Sequence, residues 1–88
     1  MIRRRAIVHG RVQGVWYRQG CQREAVAAGV TGWVRNNDDG TVEAVLEGDP
    51  AAVDEVLSWM RVGPSRALVT GVVVNEEPPG SELSFRVL

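Results

Sequence analysis

The segment from Gly10 to Arg18 contains the residue types best suited to bind an anion. Gly10 and Gly14 give the main chain freedom to turn consecutive N–H groups inward, and Gly14 lets a bound group approach without a Cβ in the way. Arg18 lies at the expected start of a helix, where unpaired N–H groups and the helix dipole attract negative charge. Because the dipole disfavours a cation there, a functional reason for Arg18 is indicated, such as bidentate contact to a phosphoryl group.

The same segment also allows a purely structural interpretation. Strand-to-helix loops with glycine are common, and an arginine near a helix start is usually solvated or part of a weak ion pair. The loop is not a Walker loop, because it lacks Gly-Lys-Ser/Thr, and it is not a Rossmann fingerprint, because the third glycine is not in place. Spacing alone therefore leaves both interpretations open.

Composition limits the partners and cofactors that the chain can use. Ten Lys+Arg against eleven Asp+Glu give a net charge of −1, so no overall positive field attracts a polyanion, and we expect no nucleic acid partner. The only cysteine, Cys21, and the only histidine, His9, cannot complete a zinc site of the usual kind. We therefore expect no metal, no cofactor and a reducing compartment.

The sequence shows no membrane or export signal. The apolar run after the basic start is only three residues long, Ala6 to Val8, where a signal peptide needs about seven or more. No stretch approaches the roughly 18 apolar residues of a membrane span. We expect a cytoplasmic protein with no membrane contact, a single domain over residues 1–88, and a monomer.

Hydrophobic periodicity places the glycine-containing segment between a strand and a helix. Apolar and charged residues alternate over Arg3 to Val12, which predicts a strand with one buried face. Helical spacing from Tyr17 ends near Ala28, and Gly29 follows as the expected left-handed cap. The segment is thus predicted to be a loop held by two regular elements.

The remaining elements complete a doubled βαβ pattern. They are a hairpin of Thr31–Asn36 and a strand from Val42, a helix from about Pro50 to Arg61 with Asp49 as N-cap, and strands at Leu68–Asn75 and about Leu83–Val87. The predicted fold is a ferredoxin-like βαββαβ domain with an extra short C-terminal strand. It is a two-layer α/β (α+β) sandwich, with both helices on one face of a mostly antiparallel sheet.

Motifs along nearly the whole chain resemble those of the acylphosphatases. They are Gly10-Arg11-Val12-Gln13-Gly14-Val15-Trp16-Tyr17-Arg18, then Ala25 and Gly29, Gly32-Trp33-Val34-Arg35-Asn36, Asp39-Gly40-Thr41-Val42, and Gly63-Pro64. The resemblance implies a small metal-free enzyme of ferredoxin-like fold that hydrolyses acyl phosphates to a carboxylate and inorganic phosphate. Trp16-Tyr17 is a modest departure at a pair of positions that varies in the family.

The resemblance also implies which residues act. Arg18 matches the family's phosphate-binding catalytic arginine, and Asn36 matches the asparagine that positions the attacking water. The matching anion loop consists of the main-chain amides of Gln13, Gly14, Val15, Trp16, Tyr17 and Arg18. Inorganic phosphate or sulfate is then expected to compete with substrate. Without the resemblance, Asn36 would be interpreted as a residue of the turn that follows it.

The chemistry of an acyl phosphate agrees with this sparse set of residues. Its carboxylate is a good leaving group, so the reaction needs positioned water and stabilised phosphoryl charge rather than a strong general acid. A site on so small a domain should be shallow and should discriminate the acyl group poorly.

Two other functions remain open at this point. Domains similar to this one also occur at the start of larger carbamoyl-transferring maturation proteins, so a non-catalytic or accessory phosphate-binding module is the main alternative. A single-stranded RNA binder of the same fold would need exposed aromatic side chains on its central strands. The run Arg3-Arg4-Arg5 could mark a nucleic-acid patch, but the neutral overall charge favours a solvated strand edge.

Overall fold

The structure is a computed structural model that describes all 88 residues. Its elements are β1 (Ile2–Arg11), α1 (Tyr17–Ala28), β2 (Thr31–Asn36), β3 (Val42–Gly48), α2 (Pro50–Met60), β4 (Leu68–Glu77) and β5 (Phe85–Val87). The strands form one sheet in the order β4-β1-β3-β2-β5, in which every pair is antiparallel except β2 with β5. The predicted ferredoxin-like architecture is confirmed.

Both helices pack on the same face of the sheet and bury its apolar side chains. In β1 the residues Ala6 and Val8 are fully buried, as the alternation predicted, while Ile7 between them is partly buried and faces the other side. The helices add side chains from one stripe each: Tyr17, Cys21 and Ala25 from α1, and Val53, Val56, Leu57 and Met60 from α2. Burying each large apolar side chain contributes about 1.5–3 kcal/mol, which fixes the orientation of both helices on the sheet.

The opposite, outer face of the sheet holds a cluster of paired charges. Arg3 contacts Glu77 at 3.1 Å and Glu47 at 3.2 Å, and Arg5 contacts both Glu43 and Glu77. Arg3 is only 14% exposed, so the expectation of a solvated edge for this arginine run was wrong. The reason is that β3 and β4 flank β1 and place glutamates beside it. All the cationic side chains of the chain are arginines, since the sequence contains no lysine.

The segment between β4 and β5 crosses this outer face, because the two strands lie at opposite edges of the sheet. The Gly80 N–H donates to Glu47 Oε1 at 2.6 Å, and Glu82 contacts Arg3 at 3.2 Å. These contacts fix the crossing segment and deliver β5 to the edge beside β2.

Element ends differ from the sequence prediction in small ways. β4 continues past Asn75 to Glu77, where the carboxylate meets the arginines of β1, and β5 begins only at Phe85 because Leu83 is exposed. Asp49 occupies the N-cap of α2, but its side chain makes no capping hydrogen bond, and Pro50 starts the helix without it. Neither helix is long and apolar enough to cross a membrane.

Candidate active site

The loop between β1 and α1 alternates buried and exposed residues. Val15 and Tyr17 bury their side chains in the core, whereas Gly14 and Trp16 are exposed and have positive φ values of 74° and 66°. Main-chain turns of this kind can gather consecutive N–H groups into a concave anion site. None of the N–H groups from residues 14–19 donates a main-chain hydrogen bond.

Gly14 and Trp16, the two residues of the loop with positive φ, differ in what the left-handed conformation costs. At Gly14 no atom lies within 4 Å of where a Cβ would be, so the backbone conformation, and not space, favours glycine. Trp16 is the only non-glycine residue with positive φ, and it sits at the N-cap of α1 without a side-chain capping bond. Such a conformation costs about 1–3 kcal/mol and is typical of functional sites.

Contacts on both sides hold the loop in place. The Tyr17 hydroxyl donates to the Met60 carbonyl at 2.7 Å, and its ring lies 5.3 Å from the ring of Trp59. Burial raises the pKa of Tyr17, so the hydroxyl stays a neutral donor. On the other side, Gln13 Nε2 donates to the carbonyls of Asn37 and Thr41 at 2.8 and 2.9 Å. The loop is therefore preorganised by α2 and by the β2–β3 turn.

The loop and β2 enclose a cavity of about 210 Å³. Its lining brings together residues of the loop, the first turn of α1 and the end of β2, namely Val12, Gly14, Trp16, Tyr17, Arg18, Gln19 and Asn36. Arg18 and Asn36, eighteen positions apart in the sequence, thus face one space. The cavity is open to solvent, as expected for so small a domain.

Asn36, which lines this cavity, carries an unsatisfied acceptor. Its Oδ1 is the one buried side-chain nitrogen or oxygen atom in the molecule that has no hydrogen-bond partner. Leaving a buried acceptor unpaired costs about 1–3 kcal/mol, so such an atom needs an explanation. Asn36 Oδ1 is therefore a candidate to accept a hydrogen bond from a ligand or a water molecule.

Arg18 is the second residue of α1 and is only partly buried. Its Nη1 donates to the main-chain oxygen of Leu88 at 2.9 Å, and no carboxylate side chain pairs with it. The first turn of α1 contains no acidic residue either. A guanidinium has five N–H donors, so the contact with Leu88 orients Arg18 and leaves donors available for an anion.

The structure places most, but not all, of the predicted residues in the cavity lining. Arg18, Asn36, Gly14, Trp16 and Tyr17 line it, whereas Gln13 and Val15 do not. The Gln13 side chain is bonded to the β2–β3 turn and Val15 is buried. For these two residues only the main-chain amide remains available for the predicted role.

Sequence reasoning missed Gln19 and Val12 in the lining and Leu88 as the partner of Arg18. Gln19 could have been found from its position one residue after Arg18 on the first helical turn. The Leu88 contact spans 70 positions and has no local signal.

Neither Cys21 nor His9 belongs to the cavity lining. Cys21 is fully buried on the inner side of α1, and burial raises the pKa of its thiol to about 12. His9 is exposed on β1. No group of three or more His, Cys, Asp or Glu side chains is arranged to hold a metal ion.

Comparison with known proteins decides the family, because the family model named Acylphosphatase matches residues 4–87. The chain belongs to the acylphosphatase family. An acylphosphatase of Methylococcus capsulatus is 55% identical over 89 residues, covering 100% of this chain and 97% of the relative. One from Thermococcus kodakarensis is 54% identical over 82 residues, covering 92% and 89%. The crystal structure of acylphosphatase from Bacillus subtilis matches with a TM-score of 0.97 at 36% identity, covering 100% and 99%.

Proposed function

We propose that this acylphosphatase-family chain hydrolyses acyl phosphates in the cavity between the β1–α1 loop and β2. One observation above all supports this proposal. Asn36, whose buried Oδ1 has no hydrogen-bond partner, lines the same cavity as Arg18 and the loop with its free N–H groups. Donors suited to a phosphoryl group and an acceptor suited to water are what this hydrolysis needs.

The loop and Arg18 would bind the phosphoryl group. Its nonbridging oxygens accept hydrogen bonds from the main-chain N–H groups of residues 13–18 and from the guanidinium of Arg18. The helix dipole at the start of α1 adds to the positive potential. Because the loop is fixed by its contacts to α2 and the β2–β3 turn, these donors need little reorganisation when charge shifts in the transition state.

Asn36 would position the nucleophile. Its Oδ1 accepts a hydrogen bond from a water molecule and directs a lone pair of that water toward phosphorus. The water oxygen forms a bond to phosphorus while the bond between phosphorus and the acyl oxygen breaks, and the carboxylate leaves with the electron pair. One water proton passes to a phosphate oxygen, so the products are a carboxylate and inorganic phosphate.

The proposal extends to the conditions of the reaction. We infer that it requires no metal or cofactor, that inorganic phosphate or sulfate competes for the loop, and that the chain works as a monomer in the cytoplasm. We also infer that it binds no nucleic acid. On the outer face the guanidinium carbons of Arg5 and Arg35 lie 5.5 and 5.1 Å from the centre of the Trp33 ring, so this aromatic side chain already packs against two arginines.

The role of Asn36 separates an enzyme from a phosphate-binding module. Asn36→Ala should lower kcat for acetyl phosphate by about 10²–10³-fold, as when one preorganised transition-state hydrogen bond is removed. The inhibition constant of inorganic phosphate should stay near that of wild type, because Asn36 acts on the water and not on the phosphoryl oxygens. Asn75→Ala, a change of an exposed asparagine on β4, is the matched control.

Three results would contradict this assignment. An unchanged kcat would make Asn36 a turn residue, and a collapse of phosphate affinity would make it part of the anion loop. A wild-type protein that binds phosphate but turns over neither acetyl nor benzoyl phosphate would favour the non-catalytic module.

A further inference from the structure

A second groove adjoins the phosphoryl-binding cavity along α1. It has a volume of about 270 Å³, and the tryptophans Trp16 and Trp59 line it together with Gln19, Gly20 and Arg23. Trp16 and Gln19 line both the cavity and the groove. The two spaces are therefore neighbours, with Trp16 and Gln19 between them.

Gly20 allows the Trp59 ring to lie directly against α1. A Cβ at Gly20 would lie only 2.7 and 2.8 Å from Cζ2 and Cη2 of Trp59. Glycine is unfavourable inside a helix, so the close approach of the ring gives this glycine a purpose. The contact between Trp59 and Tyr17 fixes the ring from the other side. The groove thus has one rigid aromatic wall.

Trp16 supplies an aromatic side chain that does little for the fold. Its side chain is 70% exposed, although its backbone has the only left-handed non-glycine conformation in the chain. A large apolar residue in a strained and exposed position is a candidate for ligand contact.

The geometry of the displacement at phosphorus relates the position of Asn36 to that of the groove. In an in-line displacement the attacking water and the leaving carboxylate lie on opposite sides of phosphorus. Asn36, on β2, lines the cavity but not the groove, whereas the groove lining comes from Trp16, α1, Trp59 of α2 and Pro64 and includes no residue of β2. If water attacks from the side of Asn36, the acyl group departs away from β2, toward the groove.

We propose that this groove is the acyl subsite and that it favours planar aromatic acyl groups, which pack against Trp16 and Trp59. This inference rests on the proposed function, because it requires the phosphoryl group in the cavity. Aromatic pairs gain stability from offset or edge-to-face packing beyond the area that they bury. Because the groove is open, the preference is modest and is added to a site that also accepts small acyl groups.

The test compares kcat/KM for benzoyl phosphate with kcat/KM for acetyl phosphate. Dividing this ratio in a variant by the ratio in wild type cancels the intrinsic reactivity of the two anhydrides. Trp16→Ala should lower the ratio about three- to tenfold, the range expected for the loss of one aromatic contact. Trp16→Phe should restore it to within about twofold, because an aromatic wall is retained.

Gly20→Ala tests the other wall with a change outside the loop. The added methyl group displaces the Trp59 ring, so the ratio should again fall. Because Trp59 also packs against Tyr17, a change in loop geometry would affect both substrates alike, and only the ratio reports on the groove. Val26→Ala, which alters an exposed residue of α1 outside both spaces, is the control. Thermal unfolding of each variant verifies that it folds. If Gly20→Ala does not fold, the Trp16 variants still decide the test, because the Trp16 side chain is exposed.

The outcomes distinguish the two proposals. Ratios unchanged within twofold in Trp16→Ala and Gly20→Ala would overturn the acyl subsite while leaving acetyl phosphate hydrolysis intact. An equal loss for both substrates in Trp16→Ala, with weaker phosphate inhibition, would also overturn it, since Trp16 would then act on the loop alone. Failure of wild type to hydrolyse either substrate would refute the proposed function itself.

Discussion

Polar groups are paired with partners in the outer-face arginine cluster, whereas several polar groups in the loop cavity have none. On the outer face Arg3, Arg5 and Arg35 each contact at least one glutamate. In the cavity Arg18 has no aspartate or glutamate partner and contacts only the main-chain oxygen of Leu88, the loop N–H groups are unpaired, and Asn36 Oδ1 accepts no hydrogen bond. Satisfied charges stabilise the sheet, whereas unsatisfied donors and acceptors are available to a ligand. The comparison shows that the carboxylate partners of an arginine, more than its presence, distinguish an arginine that stabilises the fold from one that is available to bind a ligand.

The pKa values of the outer-face glutamates agree with this pairing. Burial alone would raise the pKa of Glu43, but hydrogen bonds from Arg35 and Arg5 outweigh it and hold the pKa below its usual value. Hydrogen bonds from Arg5 and Arg3 likewise lower the pKa of Glu77. These carboxylates are fixed in the ionised form by their partners.

The largest expected effect comes from removing Arg18, the arginine of the cavity. Arg18→Ala should lower kcat/KM for acetyl phosphate by about 10³-fold or more, as for other arginines that stabilise a transferring phosphoryl group. Both KM and kcat should suffer, because Arg18 contacts the phosphoryl group in the ground state and in the transition state. Arg66→Ala, at an exposed arginine outside the cavity, should leave steady-state kinetics unchanged.

A second measurement on the same variant reports binding without catalysis. Phosphate bound only by the folded loop should raise the melting temperature of wild type by mass action, with a stabilisation of about 2.7 kcal/mol at 100 times its Kd. Arg18→Ala should lose most of this shift. If the variant keeps the full shift, Arg18 is not the anion ligand.

A smaller effect, on stability instead of activity, is expected from the arginine cluster. Glu43→Gln removes the charge that Arg5 and Arg35 share and should lower the melting temperature by about 5–10 °C, while turnover well below that temperature stays within twofold. Glu55→Gln, on the exposed side of α2, is the matched control. A large loss of kcat in folded Glu43→Gln would contradict the idea that the outer-face cluster serves stability and the cavity serves hydrolysis.

The cluster also predicts how stability depends on pH. The carboxylates of Glu43 and Glu77 have a lower pKa in the folded state than in the unfolded chain. As the pH falls below about 4.5, the unfolded chain therefore takes up protons first, and the stabilisation is lost progressively toward the lower folded pKa values. Melting temperatures measured from pH 7 to pH 3 should decline over this acidic window, and less steeply in Glu43→Gln.

The smallest expected effect is that of removing divalent metal ions, which should leave the hydrolysis rate unchanged. Hydrolysis should be unchanged by a chelator, because positioned water, main-chain donors and Arg18 suffice for a good leaving group. Steady-state rates with and without EDTA test this. Activity that is lost reversibly, and restored by one particular metal, would contradict the mechanism.

Local sequence patterns predicted the fold because each element has its own signal. The alternation in β1, the Gly29 cap after α1 and Pro50 at the start of α2 depend on residues close in sequence. Arg18 and Asn36 were placed by motifs of the family, and the structure brings both to one cavity. Their roles stay a prediction until the variants are measured.

Long-range contacts explain what the sequence could not predict. Arg3 meets Glu77, which is 74 positions away, and so its burial has no local signature. The same holds for Gln13, whose side chain pins the loop to the β2–β3 turn across 24 and 28 positions. Nothing in the spacing predicts that Trp16 adopts a left-handed conformation, because that depends on how the loop closes between β1 and α1.

The absence of lysine on this chain has a consequence for a protein that handles acyl phosphates. These substrates are activated acyl donors, and lysine amines and cysteine thiolates are the side chains that they acylate. Every cationic side chain here is a guanidinium, which is always protonated and a poor nucleophile. The one thiol, Cys21, is fully buried with a pKa raised to about 12. The molecule therefore offers its own substrate no lysine amine and no accessible thiolate to acylate.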